Sequence, residues 1–534
     1  MPTIGEVSPG GPVRVRWAAL AVVVGGIAAA YAFPQAGIWP LAFVGVASLS
    51  WAVDGRRSRT GAWLGLLHGL AFFGPLLHWT GIYVGPVPWL ALTVLQALFY
   101  GLLGAVLPRL QRLPFAVFWV AAGWVGMEFL RGRIPFGGFP WGRLAFSQVG
   151  SPLKWFIAVG GAPFLSFAVA LAGAAIAVAV LHARPFSVLR LAPSIAVIAA
   201  VPLVGLALGP ALHVDAGAPS LKIAVIQGSV PDRGLQMGDR ARQVLDNHVK
   251  VTLDLAARVK AGQAQQPDLV LWPENASDVD PFVDRSAYDE IDNAVKAINA
   301  PVLVGAILDA PGGKRWNAGI LWTPQGGPGE QYRKRHPVPF AEYMPLRSLA
   351  ETFSDAAKLV TNDMLAGGGT GLLNGGPVKI GDVICFEVAY DDLVRSSVDA
   401  GAQLLVVQTN NATFGHTSET YQQLAMTRLR AIETGRTTVQ VSTTGESAII
   451  DPNGHTISAS GALYEPATLT ATVTPRSERT LATRLGAGPE YVLSTLALLA
   501  LAWTLRNWRP AFPRRRRHLD DDPSADQPKE LLPT

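Results

Sequence analysis

The chain of 534 residues is 49% hydrophobic and only 16% charged, with a mean hydropathy of +0.28, which excludes a purely soluble, disordered or coiled-coil protein. Its 44 Lys and Arg against 39 Asp and Glu leave +5, too even a balance for a nucleic-acid binder, and no basic stripe is interleaved with aromatics. A single cysteine, Cys385, excludes an intramolecular disulfide and a multi-cysteine zinc site.

Apolar runs of bilayer length, about 17–25 residues, recur near 16–34, 37–53, 61–83, 87–107, 114–131, 155–181 and 190–209, and once more near 488–506. They predict eight crossings. Ala30-Tyr31-Ala32 imitates a signal cleavage site, but the runs that follow make the first segment a retained helix. Arginines set the orientation, because positive short loops stay cytoplasmic. Arg14 and Arg16, then Arg56, Arg57 and Arg59, then Arg109 and Arg112, then Arg184 and Arg190 fall on one side, while the loops at Gln35 and Pro86 are uncharged. Both termini are therefore predicted to be cytoplasmic. One segment breaks the pattern: 131–154 carries Arg131, Arg133, Arg143 and Lys154 on the outer side.

The predicted domains are a seven-helix membrane domain over 1–211, an extracytoplasmic domain over 212–486, an eighth helix over 487–507 and a tail over 508–534. Texture changes inside the second. Short β-rich runs at 221–226, 268–272, 302–305, 378–385, 403–408 and 448–450 alternate with helical patterns, such as Val244, His248, Val251, Leu255 and Val259 along one face. That alternation predicts an α/β fold. The tail, with an Arg run at 514–517 and then Asp520, Asp521 and Asp522, has a composition that does not pack. It is expected to be disordered, with its arginines against anionic lipid headgroups.

Three residues with reactive chemistry lie at the edges of β runs. Cys385 ends Val383-Ile384-Cys385, where an α/β sheet presents reactive groups and neighbouring amide N–H groups can receive an oxyanion. A thiol needs a base or a cation to become a nucleophile at neutral pH. Trp272-Pro273-Glu274-Asn275 offers a carboxylate directly after an apolar strand, and the segment from Tyr332 to Tyr343 offers Lys334 and Glu342. Singly, each has a plainer reading: a buried apolar cysteine, a strand-end ion pair, one member of a solvated charge run. His248, among valines and leucines, reads as an interior histidine. No His-x-x-x-His or Glu-x-x-His pair occurs in this half, so neither a metal nor another cofactor is expected.

The order Glu, Lys, Cys, with Trp-Pro-Glu-Asn at 272–275, Lys-x-His-x-x-Pro-Phe-x-Glu at 334–342 and Ile-Cys-Phe-Glu at 384–387, resembles the nitrilase superfamily over roughly 219–480. Asn410, Phe414 and Gly415, the helix that follows, and the turn at Asp451-Pro452-Asn453-Gly454 agree. The membrane half, with Glu128-Phe129-Leu130-Arg131-Gly132 and Gly138-Phe139-Pro140-Trp141, resembles the apolipoprotein N-acyltransferase branch of that superfamily. The resemblance implies a multi-pass bacterial inner-membrane enzyme with an αββα catalytic domain. It would move a fatty acyl chain from a phospholipid, through a Cys385 thioester, to the free α-amino group of a diacylglyceryl-cysteine at a lipoprotein N-terminus.

In that scheme Glu274 is the base, and Lys334 with the Phe386 backbone N–H holds the oxyanion. Glu342 and Glu387 orient Lys334 or the incoming amine, or else pair with Arg333, Arg335 or Arg395. Arg131 and Arg143 are candidates to grip a lipid phosphate, with Trp141, Asn410 and Phe414 as further lipid or substrate contacts. The chain departs from the family at Arg233 to Leu235 and at Thr413, where a Trp is common, and at Phe386, where a Tyr is common. The stretch 344–373 is expected to form a lid or a packed surface loop. Two other readings remain open: a membrane-tethered amidase or nitrilase, and a scaffold whose tail anchors a cytoplasmic partner such as a lipid-linked sugar synthase. Transport is disfavoured by the lack of paired acidic residues or inverted repeats in the membrane half.

Overall fold

Residues 13–183, 187–214, 220–230 and 240–507 are described by the computed structural model; the tail at 508–534, Arg184 and the departure at 233–235 lie outside these residues. Apolar helices occupy the eight predicted places. In the first part of the chain they are α1 (Val15–Tyr31), α2 (Leu41–Val53), α3 (Ser58–Leu76), α4 (Pro86–Leu110), α5 (Ala116–Arg131), α6 (Phe156–Leu181) and α7 (Val188–Leu212). The last helix of the chain is Gly488–Arg506. By length and composition, four are able to cross a membrane: α4, α6 with the turn before it, α7 and the last helix. Helix α2, at 13 residues, spans about 20 Å against a hydrocarbon core of about 30 Å.

Two predicted runs are not single helices. The run at 61–83 stops as a helix at Leu76, one residue after Pro75, which has no N–H to give to the ladder, and continues as a short turn at His78–Gly81. The run at 155–181 breaks at Gly160–Gly161, where Gly161 has φ +74°. Glycines also set the closest helix pair. A Cβ on Gly61 or Gly65 of α3 would lie 2.0 or 2.1 Å from the carbonyl oxygens of Gly104 and Tyr100 on α4, so any larger residue forces the helices apart.

The second part is a sandwich of two six-stranded sheets. Its strands are β1 (Leu221–Gln227), β2 (Leu269–Leu271), β3 (Val302–Ala310), β4 (Lys314–Thr323), β5 (Gly327–Arg333), β6 (Leu372–Leu373), β7 (Ile380–Ile384), β8 (Leu404–Thr409), β9 (Thr438–Ser442), β10 (Ala448–Ile450), β11 (Thr456–Ala459) and β12 (Ala467–Val473). One sheet runs β12-β1-β2-β3-β4-β5 and the other β11-β10-β9-β8-β7-β6. Each has three central parallel strands, β1-β2-β3 and β7-β8-β9, flanked by antiparallel ones.

Alternation along the strands builds three layers of core. Ile223, Val225, Leu269 and Leu271 meet Ile380, Leu404, Val406 and Val439 between the sheets. The opposite faces of Ala224, Val270 and Val304 pack on α8 (Arg240–Lys260) and α9 (Arg285–Ile298). A short helix, α10 (Arg347–Phe353), lies in the exposed stretch 344–373. On the other side, Val383, Leu405 and Val407 pack on α11 (Asp391–Asp399) and α12 (Glu419–Thr434), in a cluster continuous with the membrane helices. A last short helix, α13 (Leu481–Leu485), precedes α14, the helix at Gly488–Arg506. The layer holding α12 is thus wedged between the second sheet and the apolar helices of the first part.

Candidate active site

Glu274, Lys334 and Cys385 leave three different strands and converge. The β2 strand gives way to Trp272-Pro273-Glu274, and β3 passes close beneath: a Cβ on Gly305 would lie 2.1 Å from the Pro273 carbonyl oxygen. Glycine is therefore required there. Lys334 follows β5, and its backbone N–H donates to Asn317 O at 2.8 Å. Its ammonium donates to Glu274 Oε1 at 3.1 Å and to Glu342 Oε1 at 2.9 Å. Asn317 Nδ2 donates to the same two carboxylates, at 2.7 and 3.1 Å. The second oxygen of Glu274 receives the Asn410 backbone N–H at 2.8 Å.

Lys334 is 1% exposed, and burial acts to depress its pKa. The carboxylates of Glu274 and Glu342 overcome that, holding the ammonium well above its usual range. A permanent cation results, suited to a developing oxyanion rather than to proton exchange.

Cys385 directly follows β7 with φ +56°, a left-handed conformation that non-glycine residues adopt at a cost of about 1–3 kcal/mol. The strain is supported from below. The Glu387 carboxylate accepts the backbone N–H groups of Ile384, Arg335 and His336 and the Tyr332 hydroxyl, at 2.8–3.1 Å. One buried carboxylate thereby joins the cysteine turn to the lysine segment. Burial pushes the thiol pKa upward, the Glu274 carboxylate adds to the push, and Lys334 pulls against both. A thiol so placed needs a base at the moment of attack.

The two second-tier carboxylates therefore divide. Glu342 contacts Lys334 directly and also accepts the Val338 N–H at 2.7 Å. Glu387 holds backbone and the Tyr332 hydroxyl instead; among the described residues no hydrogen bond or ion pair joins it to the Lys334 ammonium or to an arginine side chain, which corrects the expectation that it contacts Lys334 directly or pairs with an arginine.

Arg131 and Arg143 also take a different place from the one expected. Arg131 is fully buried and donates to the carbonyls of Phe139 and Trp141 at 2.7 and 2.6 Å. Arg143 is buried against Asp391 and Glu490 at 2.5 and 3.1 Å. Counting charges by loop places both outward, but both side chains are buried, with Nη1 of Arg131 and both terminal nitrogens of Arg143 bonded to protein, while Arg131 Nε and Nη2 and Arg143 Nε have no hydrogen-bond partner among the described residues. Asn410 likewise contributes its backbone N–H to Glu274, while its side-chain oxygen accepts Ala412 N and Thr443 Oγ1 at 3.1 and 2.8 Å.

The aromatic candidates do come together. Trp141 stacks on the Phe386 ring at 5.6 Å, with Phe139 at 5.5 Å on the same ring. Trp79, which sequence reading did not single out, bridges Trp141 at 5.3 Å and Phe414 at 5.1 Å. Thr409 and Gln423 were missed as well. Their Oγ1 and Nε2 lie 3.4 and 3.6 Å from Cys385 Sγ. Thr409, at the end of a β run, carried a faint signal; Gln423, in mid-helix, carried none.

Comparison with known proteins places this site in a family. Residues 25–175 match the apolipoprotein N-acyltransferase N-terminal domain, and residues 222–482 match the carbon-nitrogen hydrolase domain. Apolipoprotein N-acyltransferase of Mycolicibacterium smegmatis is 40% identical over 93% of this chain and 87% of its own length. That of Geobacter metallireducens is 31% identical over 82% and 85%, and that of Vibrio vulnificus 28% over 90% and 94%. Among solved structures, an amidase from Nesterenkonia sp. matches at 19% identity and TM-score 0.35, over 51% of this chain and 94% of the amidase. With matches to both domains and relatives aligned along nearly all of its length, the chain belongs to the apolipoprotein N-acyltransferase family and is an acyltransferase.

Proposed function

We propose that this enzyme N-acylates lipoproteins by a two-step transfer through Cys385. One observation carries the mechanism: a buried lysine held between two carboxylates, one of which also belongs to the network beside the only thiol in the chain. In the first step Glu274 accepts the thiol proton and the sulfur attacks the ester carbonyl of a membrane phospholipid. Lys334 and the Phe386 backbone N–H receive the oxyanion. The carbon–oxygen bond to glycerol breaks, Glu274 returns the proton to the leaving alkoxide, and lysophospholipid departs. In the second step the α-amino group of a diacylglyceryl-cysteine attacks the thioester. Its proton passes to Glu274, the carbon–sulfur bond breaks and the thiolate is reprotonated, leaving an amide and free enzyme. Trp79, Trp141 and Phe414 offer an apolar, aromatic wall for the acyl chain.

We propose likewise that the chain is a multi-pass membrane protein. Eight crossings, both termini cytoplasmic and the catalytic domain on the outer face are supported by the arginine distribution and by exposed apolar faces, such as Leu20 and Val24 on α1 and Leu498, Leu499 and Trp503 on α14. The domain bounds at 211, 486 and 507 follow from it. A phosphatase reporter fused within 212–220 should be active and one fused after 507 inactive; the reverse pattern overturns the orientation. The tail remains the proposed contact for a cytoplasmic partner, and deleting 508–534 should leave acyl transfer intact.

Transfer itself is tested with purified enzyme, phospholipid vesicles and a synthetic diacylated lipopeptide. The expected result is one additional fatty acyl group on the free amine, with none on an N-acetylated control. Release of free fatty acid at the same rate with and without lipopeptide would instead establish a hydrolase.

A further inference from the structure

The sulfur of Cys385 has a neighbour that the two-step scheme leaves unused. Gln423, inside α12 on its second turn, is fully buried, and its Nε2 lies 3.6 Å from Sγ. The adjacent Gln422 points the other way, accepting the Trp141 indole N–H at 2.7 Å.

Which end of the Gln423 amide faces the sulfur is settled by its surroundings. Its Oε1 accepts Asn411 Nδ2 at 2.9 Å, so a flipped amide would set donor against donor there; Thr409 Oγ1, 2.8 Å from the same oxygen and 3.4 Å from the sulfur, has one proton to give to either. Asn411 is itself locked. Its Oδ1 accepts Ser442 Oγ at 2.6 Å, Ser442 Oγ accepts the Gly445 N–H at 2.8 Å, and Asn411 Nδ2 also donates to Glu419 Oε2 at 2.8 Å. Ser442, Asn411, Glu419 and Gln423 are all buried. The polarity thus runs one way from a backbone N–H to the reacting atom, and it ends on sulfur with a donor. The same chain has no slack: a Cβ on Gly445 would lie 2.4 Å from Asn411 Oδ1.

We propose that Gln423 is a further catalytic residue, giving its amide N–H to the Cys385 sulfur, with Asn411, Glu419 and Ser442 as positioning residues that fix its direction. The inference rests on Cys385 being the nucleophile. Sulfur becomes anionic twice in each cycle, when it is deprotonated for attack and when the amine expels it from the thioester. A fixed donor on sulfur favours both events, while Lys334 acts on the acyl oxygen. The titratable groups facing the thiol are Glu274, Lys334 and Glu419, and the neutral amide adds a donor without adding charge.

Because Cys385 is the only cysteine, iodoacetamide alkylation of the full-length enzyme in detergent, followed across pH, reads this thiol alone. Gln423→Met keeps the length of the side chain and removes the N–H. It should raise the apparent pKa of alkylation by about one unit and slow acyl-enzyme formation about tenfold, with the KM for phospholipid changed less than about twofold. Glu419→Gln, which keeps an acceptor for Asn411, should lie close to wild type, whereas Glu419→Leu should reproduce part of the Gln423→Met shift. If Gln423→Met does not fold, the Glu419 pair decides the question. An alkylation profile for Gln423→Met that superimposes on wild type, or equal profiles for the two Glu419 variants and wild type, overturns the proposal. Alkylation needs no acyl donor, so a failure of phospholipid to load the wild-type enzyme counts against the transferase mechanism alone.

Discussion

Two clusters of buried charge lie close together in this molecule and are built to opposite ends. At the triad, one lysine meets two carboxylates, Glu274 and Glu342, beside the sulfur of Cys385. At the seam with the membrane half, Arg143 and Arg430 meet Asp391, Glu433 and Glu490, with the half-exposed Arg133 completing the set. The seam uses arginine, whose planar fork engages two partners at once and also reaches the carbonyls of Val388 and Ala389, just beyond the cysteine turn. Lysine at the triad is a compact point charge with capacity left for a transient oxyanion. Burial alone therefore does not mark a catalytic charge; spare donor capacity and a nearby reactive atom do.

Substitutions separate the two clusters, beginning with the largest expected effect. Glu274→Gln removes the base while keeping most of its hydrogen bonds. Acyl-enzyme formation should fall by about 10²–10⁴-fold, with a thermal midpoint in detergent close to wild type. Arg430→Met should do the reverse in kind. It leaves Glu433 buried without its arginine and Asp391 with one partner fewer, costing about 3–5 kcal/mol, read as a lowered midpoint and only secondarily as lost activity. If Arg430→Met kept its midpoint and lost its chemistry, the distinction between the clusters would collapse.

A smaller effect depends on pH. Burial pushes the Glu419 carboxyl up to about 8 from 4.5; the hydrogen bond from Asn411 opposes the shift and repulsion from Glu274 adds to it. The folded protein then holds a proton that the unfolded chain releases. Its contribution is fully present below the unfolded value and is lost as pH rises towards 8. Melting curves between pH 5 and pH 8 should show a fall in midpoint that Glu419→Gln reduces by a few degrees; an unchanged slope would contradict the assignment. Least of all, Trp141→Phe keeps the stack on Phe386 but loses the bond to Gln422, costing about 1 kcal/mol and raising the KM for phospholipid a few-fold.

The legible parts of the molecule are those coded locally. Eight apolar helices and the strands around Glu274, Lys334 and Cys385 are written in hydropathy runs and in period-two alternation, and the three reactive residues stand at strand ends where sequence alone marks them. Long-range contacts were not legible. Asn317 and Gln423 reach the site only because the two sheets and α12 fold over one another. Arg131 and Arg143 were misplaced for a related reason: loop charge counting cannot see the carbonyls of Phe139 and Trp141, which curl back from further along the same loop, or Asp391 and Glu490, which are remote in sequence. The break of α6 at Gly160–Gly161 is hidden in an unbroken apolar run, since hydropathy does not register φ.

The most direct measurement of the central claim is intact-protein mass spectrometry of the purified enzyme after incubation with phospholipid and no acceptor, beside Cys385→Ser and Glu274→Gln. The expected result is a mass gain of one fatty acyl group that maps to Cys385, is absent from both variants within the same time, and disappears when a diacylated lipopeptide with a free amine is added. Active wild-type protein that carries no acyl group with any phospholipid, or an adduct that persists in the presence of the amine, would contradict transfer through a Cys385 thioester.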